Sequence, residues 1–213
     1  MSFVIFSRKY SSIDKRSAQT FVTSITQYLV KLLPLFSPVT QSFNNKEKTL
    51  CFNVSPNDLF FCLKVLKLNT NTQFSSLTFI SGVDYPFRHR RFEIVYDLLS
   101  VRFNKRLRLK TFIDEITPLT SCFIIYPSST WWEREIWDMF GVFFLNNVNM
   151  RRLLTDYGFD GHPLRKDFPL SGFVEARFNF KLKRVCYSPL EHAQEFRVFD
   201  FSTGWSKHSI TNY

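Results

Sequence analysis

Apolar positions along the chain change their spacing three times, and each change marks an element. Phe21, Ile25, Tyr28, Leu29, Leu32, Leu33 and Phe36 recur at the three- and four-residue spacing of one helix face. This predicts an amphipathic helix over 18–33, ended by Pro34 and Pro38. Residues 49–54 read as a strand. Ser55-Pro56 then offers an N-cap followed by proline at the first helical position. It predicts a second helix running to about residue 68, with Leu59, Leu63 and Leu66 as its stripe and Phe60 and Phe61 beside them. From 76 to 113 the period drops to two, the mark of a sheet. Phe92, Ile94, Tyr96 and Leu98 alternate with Glu93, Val95, Asp97 and Leu99, and Leu107 and Leu109 alternate with Arg106, Arg108 and Lys110. A hairpin turning near Asn104 puts both apolar sets on one face and sets Glu93 and Asp97 beside the three cations, so that cross-strand pairs neutralise part of the charge. Finally, Thr130-Trp131-Trp132-Glu133 fits a capping box. It predicts a short helix over 130–140 with Trp132, Ile136, Met139 and Phe140 inward, Glu133 and Glu135 near its positive end, and Gly141 as C-cap.

Beyond this point no period is sustained. Between 158 and 172 there are three Gly and two Pro, so neither a helix nor a central strand is expected there. Phe159, Leu164, Phe168, Leu170 and Phe173 make the segment too apolar for free disorder. The expected architecture is α+β: a mixed sheet of four to five strands with helices packed on it, followed by a long extended C-terminal arm. The boundaries are a globular body over 1–145 and an arm over 146–213 that wraps a partner.

Composition narrows the function classes. With 26 Phe among 213 residues the chain has ample apolar material for a core. A net charge of +10 suits nucleic acid, an anionic membrane surface or an acidic protein, without choosing among them. An RNA-binding role is the main rival reading, but the aromatics alternate as core residues do and no basic tract is interleaved with stacking rings. Cys51, Cys62, Cys122 and Cys186 are scattered without a C-x-x-C pair, the wrong spacing for a zinc knuckle or an iron–sulfur cluster. They read as reduced thiols. No stretch reaches the ~20 apolar residues that span a bilayer. Glu135 and Asp138 share a helix face, yet no His lies near enough for a Glu-x-x-His metal set. His162 beside Asp156, Asp160 and Asp167 could imitate a hydrolytic cluster, but on a Gly/Pro-rich arm it reads better as an interface hydrogen-bonder.

Two stretches carry a resemblance. One is Glu133-Arg134-Glu135-Ile136-Trp137-Asp138-Met139-Phe140-Gly141. The other runs Arg151-Arg152-Leu153-Leu154-Thr155-Asp156-Tyr157-Gly158-Phe159-Asp160-Gly161-His162-Pro163-Leu164-Arg165-Lys166-Asp167-Phe168-Pro169-Leu170-Ser171-Gly172. Together they resemble the signature of the NADH dehydrogenase subunit 9 family, equivalent to the C subunit of the bacterial enzyme. The weaker pieces Gly82-Val83-Asp84-Tyr85-Pro86, Arg91-Phe92-Glu93-Ile94-Val95-Tyr96 and Arg108-Leu109-Lys110-Thr111-Phe112 flank them. One departure stands out: where the family has His-Pro-Asp before the paired arginines, this chain has Asn147-Val148-Asn149.

The resemblance implies a core structural subunit in the peripheral arm of NADH:ubiquinone oxidoreductase, respiratory complex I. It would brace the large quinone-site subunit while electrons pass from NADH to quinone, coupled to proton translocation. The chain itself would be non-catalytic, binding no cofactor; FMN, the iron–sulfur clusters and ubiquinone are expected in other subunits. Its partners would be other peripheral-arm subunits, with no nucleic acid and no membrane span of its own. The location implied is the matrix side of the mitochondrial inner membrane, and a chain that keeps Met1 is expected to be organelle-encoded. The residues expected at the subunit interface are Glu133, Arg134, Asp138, Arg151, Arg152, Asp156, Tyr157, Phe159, His162, Arg165, Lys166, Asp167 and Phe168. Among them Phe159 and Phe168, with Leu164, are the apolar anchors, and Gly158, Gly161 and Gly172 let the backbone turn with φ > 0.

Overall fold

The computed structural model describes residues 28–29, 31–32, 40–44, 49–191 and 197–199. Between Lys166 and Asp167 the chain divides into two compact units. The first unit is built on five strands: β1 (Thr40–Asn44), β2 (Thr49–Asn53), β3 (Ser76–Asp84), β4 (Phe92–Ser100) and β5 (Lys105–Ile113). They lie in the order β1-β2-β5-β4-β3, with β2 parallel to β5 and the other pairs antiparallel. Helix α1 (Leu59–Leu68) carries the chain from β2 to the far edge at β3. A short parallel bridge joins β6 (Leu119–Thr120) to β7 (Phe144–Leu145), and between them α2 (Ser129–Phe140) packs against β3. The α+β class and the mixed sheet agree with the sequence pattern.

The hairpin forms as its alternation requires. Leu98 pairs with Leu107, Tyr96 with Leu109 and Phe92 with Ile113, around a turn in which Asn104 has φ +48°. Their side chains, with Ile94, are fully buried and share one core with Leu59, Leu63 and Leu66 of α1 and with Ile136, Met139 and Phe140 of α2. On the opposite face Asp97 lies 3.3 Å from Arg108 and Glu93 lies 2.7 Å from Lys110, while Arg106 is exposed. That face is shielded too: Glu93 and Asp97 are 4% and 3% exposed, so these pairs work in a lower dielectric than a solvated stripe would.

Gly82 on β3 owes its place to packing. A Cβ there would meet the Phe140 ring at 2.9 Å, so only glycine lets the last aromatic of α2 approach the sheet this closely. Phe140 also meets Phe92 edge-on at 6.2 Å, which blocks its retreat. Gly82→Ala is therefore expected to cost about 1–3 kcal/mol by overpacking, read as a lower Tm of the purified chain. An unchanged Tm would show that α2 shifts freely at this contact.

The structure meets one expectation in part and departs from two others. Of the helix expected over 18–33, residues 28–29 and 31–32 are helical and the remainder lies outside the described residues. α1 begins at Leu59 with Asp58 as N-cap, rather than at Ser55-Pro56. Those two residues form a turn closed by the Asp58 N–H on the Ser55 carbonyl (3.1 Å), which delays the first helical residue. Residues 146–166, expected as the start of an arm, belong to the first compact unit.

The second unit contains an antiparallel hairpin, β8 (Val174–Asn179) and β9 (Arg184–Pro189), that the sequence reading did not anticipate. Its register sets Val174 opposite Pro189, Ala176 opposite Tyr187 and Phe178 opposite Val185. One face is thus wholly apolar, while the other carries Glu175, Arg177, Asn179, Arg184, Cys186 and Ser188. Val174, Phe178, Val185 and Tyr187 all remain more than half exposed.

Candidate functional site

Helix α2 and the loop that follows it bring most of the distinctive residues together. Glu133 is fully buried, and both its oxygens accept hydrogen bonds. Oε2 takes the Ser121 hydroxyl (2.6 Å) and the Asn147 amide (2.7 Å). Oε1 takes the Cys122 backbone N–H (2.9 Å) and the Cys122 thiol (3.1 Å). This replaces the capping box expected from Thr130 and Glu133. The helix starts at Ser129 without a side-chain cap, because four donors hold the Glu133 carboxylate inside the core. Burial, and then the Glu133 charge, push the Cys122 thiol well above its ordinary pKa, so it stays a protonated donor rather than a nucleophile.

One turn further on, Asp138 is the hub of the loop over 151–155. Its Oδ2 accepts the backbone N–H groups of Leu153 (3.2 Å), Leu154 (2.8 Å) and Thr155 (3.0 Å). Its Oδ1 accepts the Thr155 hydroxyl (2.5 Å) and the Arg152 guanidinium (3.3 Å). Burial alone would raise the Asp138 pKa, but the Thr155 hydroxyl and the three N–H groups outweigh it and hold the carboxyl below the usual carboxylate range. Arg134 does not pair with Asp138 along the helix. It donates instead to the carbonyls of Arg151 (3.1 Å) and Arg152 (3.2 Å). Arg152 reaches on to the Gly161 carbonyl (3.3 Å).

The C-terminal end of α2 is closed by the same stretch of chain. An α-helix leaves its last four carbonyls without intrahelical donors. Here Trp137 O accepts the Gly141 N–H (2.9 Å), Asp138 O the His162 Nδ1 (2.9 Å), Met139 O the Leu164 N–H (3.2 Å) and Phe140 O the Arg165 Nε (2.7 Å). Gly141 sits at φ +81°, and a Cβ there would meet Arg165 at 2.6 Å and His162 at 2.7 Å. Only glycine both turns the chain and leaves room for its caps. Lys166 then donates its N–H to Asp84 (2.8 Å), which also receives both arms of Arg91 (2.7 and 2.9 Å). The Arg91 guanidinium first, and the Lys166 N–H after it, hold Asp84 low against the opposing effect of burial.

The thirteen residues expected at an interface therefore divide. Glu133, Arg134 and Asp138 are interior and act within this chain, because each is committed to intrachain donors or acceptors. Arg152, His162 and Arg165 are half-buried and tie the loop to α2. Phe159 is half-buried and lies under Arg152 at 6.0 Å. Arg151, Asp156, Tyr157 and Lys166 are exposed, Tyr157 by 99%. In the second unit Asp167 is exposed, and Phe168 is half-buried with its ring edge-on to Phe173 at 5.4 Å. Asn147 was legible only as a departure from a family pattern; the structure gives it a partner, Glu133. Among the described residues no group of three or more His, Cys, Asp or Glu side chains is placed to hold a metal ion.

Residues 52–174 match the family described as the respiratory-chain NADH dehydrogenase 30 Kd subunit. The chain is 56% identical over 158 residues to NADH dehydrogenase [ubiquinone] iron-sulfur protein 3 of Beta trigyna, covering 74% of this chain and 82% of that one. It is 45% identical over 199 residues to NADH-ubiquinone oxidoreductase subunit 9 of Reclinomonas americana, covering 93% and 96%. Among solved structures, a chain of the membrane-bound sulfane sulfur reductase, an archaeal respiratory membrane complex, superposes with a TM-score of 0.55 at 27% identity. The match covers 68% of this chain and 84% of that one. The words iron-sulfur in the first name raise the question of a cluster. The cysteines present do not fit one. Cys51 lies on β2, Cys62 on α1 and Cys122 beside Glu133, all buried, and Cys186 belongs to the second unit.

Proposed function

This chain belongs to the respiratory-chain NADH dehydrogenase 30 Kd subunit family, and from that membership we propose that it is a structural subunit that braces its neighbours in complex I. Electron transfer from NADH to ubiquinone, with its coupled proton translocation, is then a property of the assembly. FMN, the iron–sulfur clusters and ubiquinone sit on other subunits, and this chain contributes position rather than chemistry. Its chief partner is the large quinone-site subunit, and its place is peripheral, on the matrix side of the inner mitochondrial membrane. None of the helices among the described residues is long and apolar enough to cross a membrane.

The observation that carries this reading is the second unit. A lone two-stranded hairpin is marginal in water, and β8–β9 leaves its whole apolar face of Val174, Ala176, Phe178, Val185, Tyr187 and Pro189 open. A surface of that kind on a chain from a multisubunit family is an interaction site. Arg151, Asp156, Tyr157, Lys166 and Asp167 supply further polar and aromatic contacts to neighbouring subunits, and Phe159 and Phe168 the half-buried anchors. Replacing Phe178 and Val185 together with Ser is expected to lower recovery of the chain in intact complex I by ~tenfold or more. The Tm of the first unit should stay unchanged. Normal assembly of this variant on native gels would remove the bracing role.

A further inference from the structure

The turn between β3 and β4 exposes a large apolar side chain on a rigid support. Phe87 is fully exposed, yet the turn around it is firmly built. Asp84 and Arg91 close its base through two hydrogen bonds (2.7 and 2.9 Å). The Tyr85 N–H reaches the Arg91 carbonyl (2.9 Å) and the Arg88 N–H reaches the Tyr85 carbonyl (3.0 Å). The Arg88 guanidinium lies 3.9 Å from the Tyr85 ring centre. The loop over 114–118, at the same end of the sheet, is tied to this turn by Arg91–Glu115 (2.5 Å) and His89–Asp114 (3.7 Å). That loop carries Ile116, 93% exposed. A turn already fixed in the free chain loses little entropy on docking. An aromatic anchor entering a pocket is the kind of residue that dominates interface energy.

We propose that Phe87, with Ile116 of the companion loop, is a docking wedge for a second protein subunit. The wedge enters an apolar socket whose rim carries a carboxylate facing Arg90. The charges nearby favour a protein over an anionic lipid surface. Arg88 is engaged by Glu93 (3.7 Å), Arg91 by Asp84 and Glu115, and His89 lies against Asp114. Asp114 and Glu115 are themselves partly exposed and would repel lipid phosphates. Arg90 is exposed and has no ion-pair partner among the described residues, which leaves one cation for one carboxylate. The wedge lies in the first unit, and the apolar hairpin face in the second. The proposal rests on reading the chain as an assembly subunit, and it adds a second contact to the hairpin's.

The test uses the full chain with Cys186→Ser as background, since the other three cysteines are buried. Phe87→Cys is labelled with maleimide in the free chain and in intact complex I, and a maleimide–diazirine probe at the same position identifies its neighbour. Labelling slowed ~tenfold or more in the complex and a crosslink to another protein chain support the wedge. So does a ~tenfold loss of Phe87→Ser in competition with the unsubstituted chain for assembly. Equally fast labelling in the complex overturns it, and so does undiminished competition by Phe87→Ser. A crosslink to lipid, or binding of the free chain to vesicles of phosphatidylcholine and cardiolipin that Phe87→Ser abolishes, overturns it in favour of a membrane contact. A diazirine probe at Phe178→Cys separates the two readings: capture there without capture at 87 sinks the wedge alone, and capture at 87 without capture at 178 sinks the hairpin contact alone.

Discussion

Asp138→Ala is expected to destabilise the first unit by about 3–5 kcal/mol, the cost of removing the acceptor from a buried, multiply hydrogen-bonded charge site. Asp138 is fully buried, and five donors converge on it: three consecutive backbone N–H groups, the Thr155 hydroxyl and Arg152. The alanine variant leaves the backbone donors without an acceptor, and each unsatisfied group costs about 1–3 kcal/mol unless the loop opens to water. The loop is then expected to open, and limited proteolysis should cut between 151 and 160 in the variant but not in the unsubstituted chain. Asp138→Asn keeps the shape and one oxygen, so it should lose less. The same hub sets a pH response. Its folded pKa is depressed, as is that of Asp84, so the stability it contributes is present above the unfolded value of about 3.9 and is lost as pH falls through the folded value. Acid unfolding of the unsubstituted chain should begin as pH drops below about 4, and Asp138→Asn should flatten that part of the curve. An acid limb of equal slope in both proteins would mean that Asp138 does not carry the linkage.

What the sequence reveals and what it hides follow from the range of the interactions. The β4–β5 hairpin is legible because its alternation and its turn are local, and the structure keeps the pairing of Leu98 with Leu107 and Tyr96 with Leu109. The α1 stripe is legible for the same reason. Asp138 is legible only as a carboxylate on a helix face. Its partners lie 14 to 17 residues away, and no local period reports a loop that folds back over a helix. The capping-box reading of Glu133 failed in the same way, since its donors Ser121 and Asn147 are 12 and 14 residues distant. The β8–β9 hairpin is a different kind of miss. Val174, Ala176 and Phe178 alternate, as do Val185 and Tyr187, and Lys183 turns with φ +49°. The alternation is local, but the apolar face it marks stays exposed, so on sequence alone it is hard to tell from a docking segment.

The structure also divides the work of the distinctive motif. The helix residues Glu133, Arg134 and Asp138 face inward and shape the loop, while Arg151, Asp156, Tyr157 and Lys166 are what that loop displays. Under the proposed bracing role, a loop borne on a capped helix is already held in shape before a partner arrives. That lowers the entropy lost on binding, which is the cost a disordered strap would have to meet from its contacts.

Glu133→Ala should approach the Asp138→Ala effect, at about 3 kcal/mol or more, and Glu133→Gln should be much milder. Both Glu133 oxygens are acceptors, so alanine strands the buried Cys122 N–H and Ser121 hydroxyl and takes the acceptor from the half-buried Asn147 amide. Glutamine retains one oxygen. Placed toward Cys122, that oxygen keeps the backbone N–H satisfied, and the new NH2 group then faces Ser121 and Asn147. The Asn147 amide can turn to present its oxygen, and the Ser121 hydroxyl can rotate to accept, so the loss should stay near 1–2 kcal/mol. The prediction is sharpest at Asn147, whose amide donates to Glu133 and which the resemblance marks as a departure from His-Pro-Asp. If Asn147 serves as the donor that an imidazole would otherwise supply, Asn147→His should fold with nearly unchanged Tm. Asn147→Ala should cost about 1–2 kcal/mol, and its effect should largely vanish in a Glu133→Ala background. Additive losses in that double-mutant cycle would show that the 2.7 Å contact between Asn147 and Glu133 carries no coupling, and that the departure at Asn147 is tolerated for some other reason.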